Sequence, residues 1–122
     1  MKLRTLAMVS GIFLLAGCSV NNYEPAAPTA SKSDIEMARQ WLSEVENLEV
    51  KDDGYIHYTE SLPGGSGYYW KTTTIRKISK EWSCGSMYPL LEKGFVVRMF
   101  FKGKGGKEEY FDKARCDAEE TN

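Results

Sequence analysis

Residues 95–107 read FVVRMFFKGKGGK, and this stretch decides the fold. In an extended chain successive side chains point to opposite sides. Phe95, Val97, Met99 and Phe101 therefore share one face, and Arg98 falls on the other. The lysine- and glycine-rich segment that follows is a tight reversal, because glycine accepts the positive φ that a short strand connection needs. Residues 108–114 return as the partner strand, with Tyr110 and Phe111 on opposite faces. A hairpin with one strongly apolar face must bury that face against something.

Upstream, the natural cover is a helix. Ser33 and Glu36 have the S-x-x-E spacing of a capping box. Ile35, Ala38, Leu42 and Val45 follow at spacings of three, four and three, with Trp41 and Leu48 widening the stripe. Arg39, Glu44, Glu46 and Glu49 fall on or near the opposite side. A helix of about four turns with its apolar face on the core is expected, although the same stripe suits a partner-binding surface.

Between helix and hairpin, Asp52-Asp53-Gly54 reads as a turn. Residues 55–59 (YIHYT) are β-prone, and the loop SLPGGSG at 61–67 follows. Residues 68–78 (YYWKTTTIRKI) are aromatic and β-branched, which suits a pleated, half-buried surface. Residues 78–94 are irregular, with Trp82, Cys84, a turn at Gly85-Ser86 and a short helical piece around residues 90–93. The expectation is an α+β domain: one N-terminal amphipathic helix packed on an antiparallel sheet of about four strands, without internal repeats.

The N-terminus is organised differently. Lys2 and Arg4 precede an apolar run over residues 6–16, too short for a membrane-spanning helix, which needs about 20 residues. This is the layout of a signal peptide. Leu15-Ala16-Gly17-Cys18 resembles the lipobox of bacterial lipoproteins. The resemblance covers residues 1–19 and implies that the chain is cut before Cys18, which carries diacylglycerol and an acylated amino group. One acyl chain holds a protein only marginally, whereas two or more hold it stably. Ser19, where an aspartate would signal retention, directs such a protein to the outer membrane of a Gram-negative cell. A signal anchor, or a small apolar helix with an incidental cysteine, is the alternative. The organisation is then residues 1–17 as signal peptide, 18–32 as acylated cysteine and flexible linker, 33–116 as the domain and 117–122 as a polar tail. The linker, with Pro25, Pro28 and few apolar side chains, cannot bury enough surface to offset its ordering entropy.

Removing residues 1–17 takes away Lys2 and Arg4 and moves the formal net charge from −1 to −3. Nucleic-acid binders carry a clear basic excess, so none is expected as partner. With Cys18 committed to lipid, Cys84 and Cys116 remain, and two thiols in an oxidising compartment usually pair. A metal site or a reactive thiol is the alternative. The chain has no CxxC and His57 is its one histidine, which is not zinc-ligand spacing. No cofactor motif is present.

Cys84 with His57 is the one thiol pair that could do nucleophilic chemistry, and it requires a free Cys84. PGGSG at 63–67 lacks the lysine and helix start of a phosphate loop. Lys102, Lys104 and Lys107 could attract an anion or an acidic head group, or could simply solvate the turn. Tyr69 and Trp70, beside the glycine-rich loop, suit a protein interface or a stacked sugar ring, and equally a small core. Ser66-Gly67, entering an aromatic run, also resembles the inhibitory loop of bacterial lysozyme inhibitors. Their motif is S-G-x-x-Y, and Trp70 stands here in place of the tyrosine. That resemblance implies inhibitory contact through Ser66, Gly67 and Trp70. The reading as a whole is a non-enzymatic envelope lipoprotein, anchored through Cys18 and facing the periplasm, that binds another envelope protein in assembly, secretion, immunity or exclusion. A lysozyme-type inhibitor and a cell-wall sugar-binding module are the alternatives.

Overall fold

The computed structural model describes residues 23–63 and 67–120, so Cys18 and Ser66 lie outside the described residues. The chain is α+β, with a four-stranded mixed sheet in the order β1-β2-β3-β4. The strands are β1 (Leu48–Val50), β2 (Tyr55–Ser61), β3 (Val96–Lys102) and β4 (Glu108–Phe111). The helices are α1 (Lys32–Trp41), α2 (Thr72–Glu81), the single turn α3 (Tyr88–Leu91) and α4 (Lys113–Glu120), and a π-helical turn, Trp82–Ser86, links α2 to α3.

The outer pairs β1·β2 and β3·β4 are antiparallel, but the central pair β2·β3 is parallel. This corrects the expected all-antiparallel sheet, and the cause is local. Residues 68–78, expected as a strand, instead lead into α2. Parallel neighbours need a long crossover, and α2, the π turn and α3 supply it. The helical signal was Ile75, Ile78, Ser79 and Trp82, spaced three, one and three. Thr72, Thr73 and Thr74 occupy the exposed first turn, where each β-branched residue costs only tenths of a kcal/mol. Ser79 is buried and donates its hydroxyl to the Ile75 carbonyl at 2.7 Å, so it can lie in the core without an orphaned group.

The hairpin forms as its pattern dictates. Phe95, Val97, Met99 and Phe101 are buried together with Ile56 and Phe111. Against this face pack Ile35, Ala38 and Leu42 of the α1 region, Ile75 of α2, and Met87, Leu90 and Leu91. Tyr58 stacks on Trp82 with ring centroids 4.8 Å apart.

Three boundaries move. The cap of α1 is Ser31, whose hydroxyl accepts from Asp34 N at 3.1 Å; Ser33 lies inside the helix. The helix stops at Trp41, and Leu48, expected to extend its stripe, begins β1. At the other end β4 stops at Phe111, because Asp112 accepts from Arg115 N at 3.0 Å and caps α4. The expected polar tail is thus helical through Glu120. Cys84 and Cys116 form a disulfide, which ties the π turn to α4 and not to the last strand.

Residues 23–31, expected as part of a flexible linker, form a strap along one end of the sheet. The Tyr23 hydroxyl donates to Asp112 Oδ1 at 2.9 Å, and its ring faces the Arg115 guanidinium at 5.2 Å. Thr29 N donates to the Gly94 carbonyl at 2.9 Å. Pro28 lies so close to Gly54 that a Cβ there would come within 2.7 Å of its own. Composition hides this strap, since a few specific contacts replace a hydrophobic run.

Burial, followed by the Asp112 carboxylate, pushes the Tyr23 phenol up to about 12. Because the docked phenol holds its proton more tightly than a free one, strap docking is expected to be intact below pH ~10 and to weaken as pH rises towards 12. Tyr58 and Tyr88 are also shifted upward, so phenolate absorbance should show a late-titrating component that shrinks by one phenol in Tyr23→Phe. An unchanged alkaline titration in that variant would count against the docked strap.

Candidate binding surface

Ser61 at the end of β2 and Lys102 at the end of β3 are register partners. The loop after β2 and the β3–β4 turn therefore leave the sheet at the same end, opposite the strap. Parallel pairing is what brings them together; antiparallel strands would have sent them to opposite ends.

Trp70 bolts the two loops to each other. Its backbone N donates to the Lys104 carbonyl at 2.8 Å, and its indole Nε1 to the Lys102 carbonyl at 2.9 Å. Its ring meets Phe101 edge-on, with centroids 4.9 Å apart. Gly105 has φ 78°, and a Cβ on it would stand 2.6 Å from the Trp70 carbonyl oxygen. Gly105→Ala is accordingly expected to destabilise the domain by about 1–2 kcal/mol, through a left-handed backbone and a contact with rigid main chain. Denaturant unfolding measures it, and a change within error would show that the two loops part without cost.

The bolt presents a basic, aromatic tip. Tyr68 and Tyr69 are exposed side by side, and Lys71, Lys102 and Lys104 are exposed around them. Gly67, with φ 100°, has no atom near enough to meet an added Cβ. Of the residues singled out from sequence, Gly67, Tyr69, Lys102 and Lys104 thus lie on this tip. Trp70 is half-buried and structural. Lys107 turns inward, pairing at 3.3 Å with Glu109, which is only 4 % exposed. Tyr68 and Lys71 complete the tip; neither was singled out as a site residue, because residues 68–78 read as one half-buried strand rather than a loop leading into a helix.

A second surface is the sheet face turned away from the helices. Register aligns Glu49, His57, Arg98 and Tyr110 in one row across all four strands. Arg98 pairs with Glu108. Burial first, then Arg98 and Lys51, pushes the His57 imidazole below its ordinary value. A cleft of about 540 Å³ opens beside this face, lined by Tyr23, Glu24, Tyr55 and Tyr110 among others. His57 cannot recruit Cys84, which is in the disulfide.

No helix among the described residues is long and apolar enough to cross a membrane. No family model matches the chain, and no curated protein or solved structure matches it.

Proposed function

We propose that the protein is a non-enzymatic envelope lipoprotein, held through lipid on Cys18 at the outer membrane with its domain in the periplasm, and that it binds another envelope protein through its basic, aromatic tip. The anchor rests on the lipobox-like LAGC at residues 15–18. One observation carries the binding reading: the tip lies at the opposite end of the sheet from the strap that leads back to Cys18. An anchor at one end and an exposed Tyr-Tyr-Lys cluster at the other suits a protein that reaches outward from its membrane. Two large rings among lysines supply the contact area and electrostatic steering that protein recognition uses. The same geometry disfavours head groups of the anchoring membrane as ligands of Lys102 and Lys104.

Pull-down from detergent-solubilised envelope tests this. A partner is expected with the wild-type chain and is lost in the Tyr68→Ala, Tyr69→Ala double variant, while Cys18→Ser separates loss of anchoring from loss of binding. No reproducible partner, or one indifferent to both tyrosines, overturns the reading.

A second reading, inhibition of lysozyme-like hydrolases, is favoured by the exposure of Gly67 and the tyrosines after it. It predicts that the soluble mature chain slows lysozyme in a turbidity assay. The sugar-binding reading predicts retention on peptidoglycan fragments that is lost in the same tyrosine variant.

A further inference from the structure

Charge is distributed unevenly along the chain. Residues 67–107 carry nine lysines and arginines against two carboxylates, Glu81 and Glu92, although the chain as a whole is slightly acidic. Three of the nine are spent on carboxylates: Arg76 pairs with Glu119 at 3.8 Å, Arg98 with Glu108, and Lys107 with Glu109. Lys93 stands before β3, at the other end of that strand from the turn. The remaining five, Lys71, Lys77, Lys80, Lys102 and Lys104, have no ion-pair partner among the described residues.

α2 strings these lysines into a band. Ile75, Ile78 and Ser79 turn towards the core, and Thr73, Arg76, Lys77 and Lys80 share the opposite, outward side. Lys71 caps the start of α2 and follows Trp70, whose bonds to the Lys102 and Lys104 carbonyls hold the turn beside it. From Lys71 to Lys80 the helix rises about 14 Å. At the far end of the band a groove of about 630 Å³ opens, lined by Lys77, Lys80, Glu81, Tyr88 and the Cys84–Cys116 disulfide. The Tyr88 hydroxyl is committed to Asp117 at 2.6 Å, which leaves its ring as an apolar wall. Gly85, also in the lining, has no atom near enough to meet an added Cβ, so main chain is open to approach there. The neighbouring carboxylates do not cancel the lysines: Asp117 pairs with Lys113, and Glu119 with Arg76 and Arg115. Glu81 is the one carboxylate in the lining itself.

From the unpaired lysines and the groove they lead into we infer that the outward face of α2 binds an acidic peptide segment of a partner protein. Its carboxylates meet Lys71, Lys77 and Lys80, and an apolar side chain enters the groove against Tyr88 and the disulfide. Because Lys71 belongs to the tip as well, this deepens the protein-binding reading of the tip and rests on it. Four or five extended residues span about 14 Å, so one short segment reaches from the tip to the groove. Lysine ammoniums are point charges on flexible stems, which suits carboxylates that arrive in no fixed orientation. Exposed ion pairs each contribute little. The lysines therefore steer and align the segment, while the apolar contact and the two tyrosines hold it. An acidic oligosaccharide would meet the same lysines but brings no apolar side chain to fill the groove, and charge complementarity together with that groove selects the peptide.

The test is a nuclear magnetic resonance titration of the ¹⁵N-labelled mature chain carrying Cys18→Ser, which removes the anchor. Three probes are used: a soluble peptide of glutamates with one leucine and one tyrosine, its twin with glutamine for glutamate, and an oligogalacturonate of equal charge. At low salt the acidic peptide is expected to shift the amides of Lys71, Lys77, Lys80, Gly85 and Tyr88 saturably, and to bind about tenfold more tightly than either other probe. Raising the salt should weaken it strongly. Lys77→Ala with Lys80→Ala should cost about five- to tenfold in affinity, and arginine at both positions should restore most of it. Both lysines lie on the outward side of α2, and circular dichroism verifies that the fold is kept. An acidic peptide that moves none of these amides, or that is indifferent to both lysines, overturns the inference. So does an oligogalacturonate that binds as well as the peptide. A dimer in sedimentation that dissociates in the double-alanine variant also overturns it, by assigning the band to a second copy. The envelope pull-down separates this from the reading beneath it. A partner that needs Tyr68 and Tyr69 but ignores Lys77 and Lys80 sinks the α2 site alone, whereas no partner at all defeats the protein-binding reading.

Discussion

Replacing Cys84 by serine and Cys116 by alanine is expected to destabilise the domain by roughly 3–4 kcal/mol. The bond closes a loop with a sequence separation of 32, and the chain-entropy relation for a loop of that length yields about this value. For a domain near this size each kcal/mol moves the midpoint by about 4–8 °C, so thermal unfolding should fall by roughly 15 °C or more. The loss should appear first in α4, which the bond joins to the π turn. Alanine suits position 116 because Cys116 is buried, where a serine hydroxyl would need a partner. Reducing the wild-type protein should reproduce the shift. A fall of only a few degrees would mean that the packing of α4, and not loop closure, carries its stability.

Arg115→Ala is the second large loss, expected at about 3 kcal/mol from the charge it strands. Its guanidinium pairs with Glu109 at 3.0 Å and with Glu119 at 3.0 Å, and donates to the Tyr110 carbonyl at 2.6 Å. It also lies over the Phe111 ring at 4.0 Å and faces Tyr23. Without it, Glu109 keeps Lys107 alone as a charged partner in a nearly dry site. The cost follows from that stranded carboxylate, so Glu109→Gln placed in the Arg115→Ala background should restore part of the stability. A double-mutant cycle by denaturant unfolding reads the coupling, and strictly additive losses would refute it. Arg115→Lys should rescue poorly, since a single ammonium cannot reproduce a planar fork that serves two carboxylates and a carbonyl. Hydrogen exchange at residues 23–29 should quicken in Arg115→Ala, because the guanidinium under Tyr23 helps hold the strap.

The hairpin was legible in the sequence because its signal is local and redundant. Alternation places Phe95, Val97, Met99 and Phe101 on one side, and the glycines between strands admit one kind of connection. Ile35, Ala38 and Leu42 were equally plain as core residues. α2 was read as a strand because Tyr68-Tyr69-Trp70 and three threonines favour extended chain, whereas the four residues that give α2 its helical stripe count only once a sheet exists for them to cover. α4 was hidden behind a weaker sign, the cap at Asp112, in a segment that continues a strand pattern without a break.

For the candidate surfaces the division is sharper. Sequence by itself determined the chemistry on offer: a lipobox-like start, a pair of cysteines, tyrosines next to a glycine loop, and lysines on a turn. Only the tertiary structure decided which of these meet. Parallel pairing of β2 with β3 sets Tyr68 and Tyr69 beside Lys102 and Lys104, and removes Trp70 and Lys107 from the exposed set. The strap contacts of Tyr23, Pro28 and Thr29 likewise turn an apparent spacer into a short tether. The physical reason is one of range. A strand pattern or a turn is written in a few neighbouring residues, but the contacts that place one loop on another join residues 32 and 89 positions apart, and their energy is won only when the whole sheet forms.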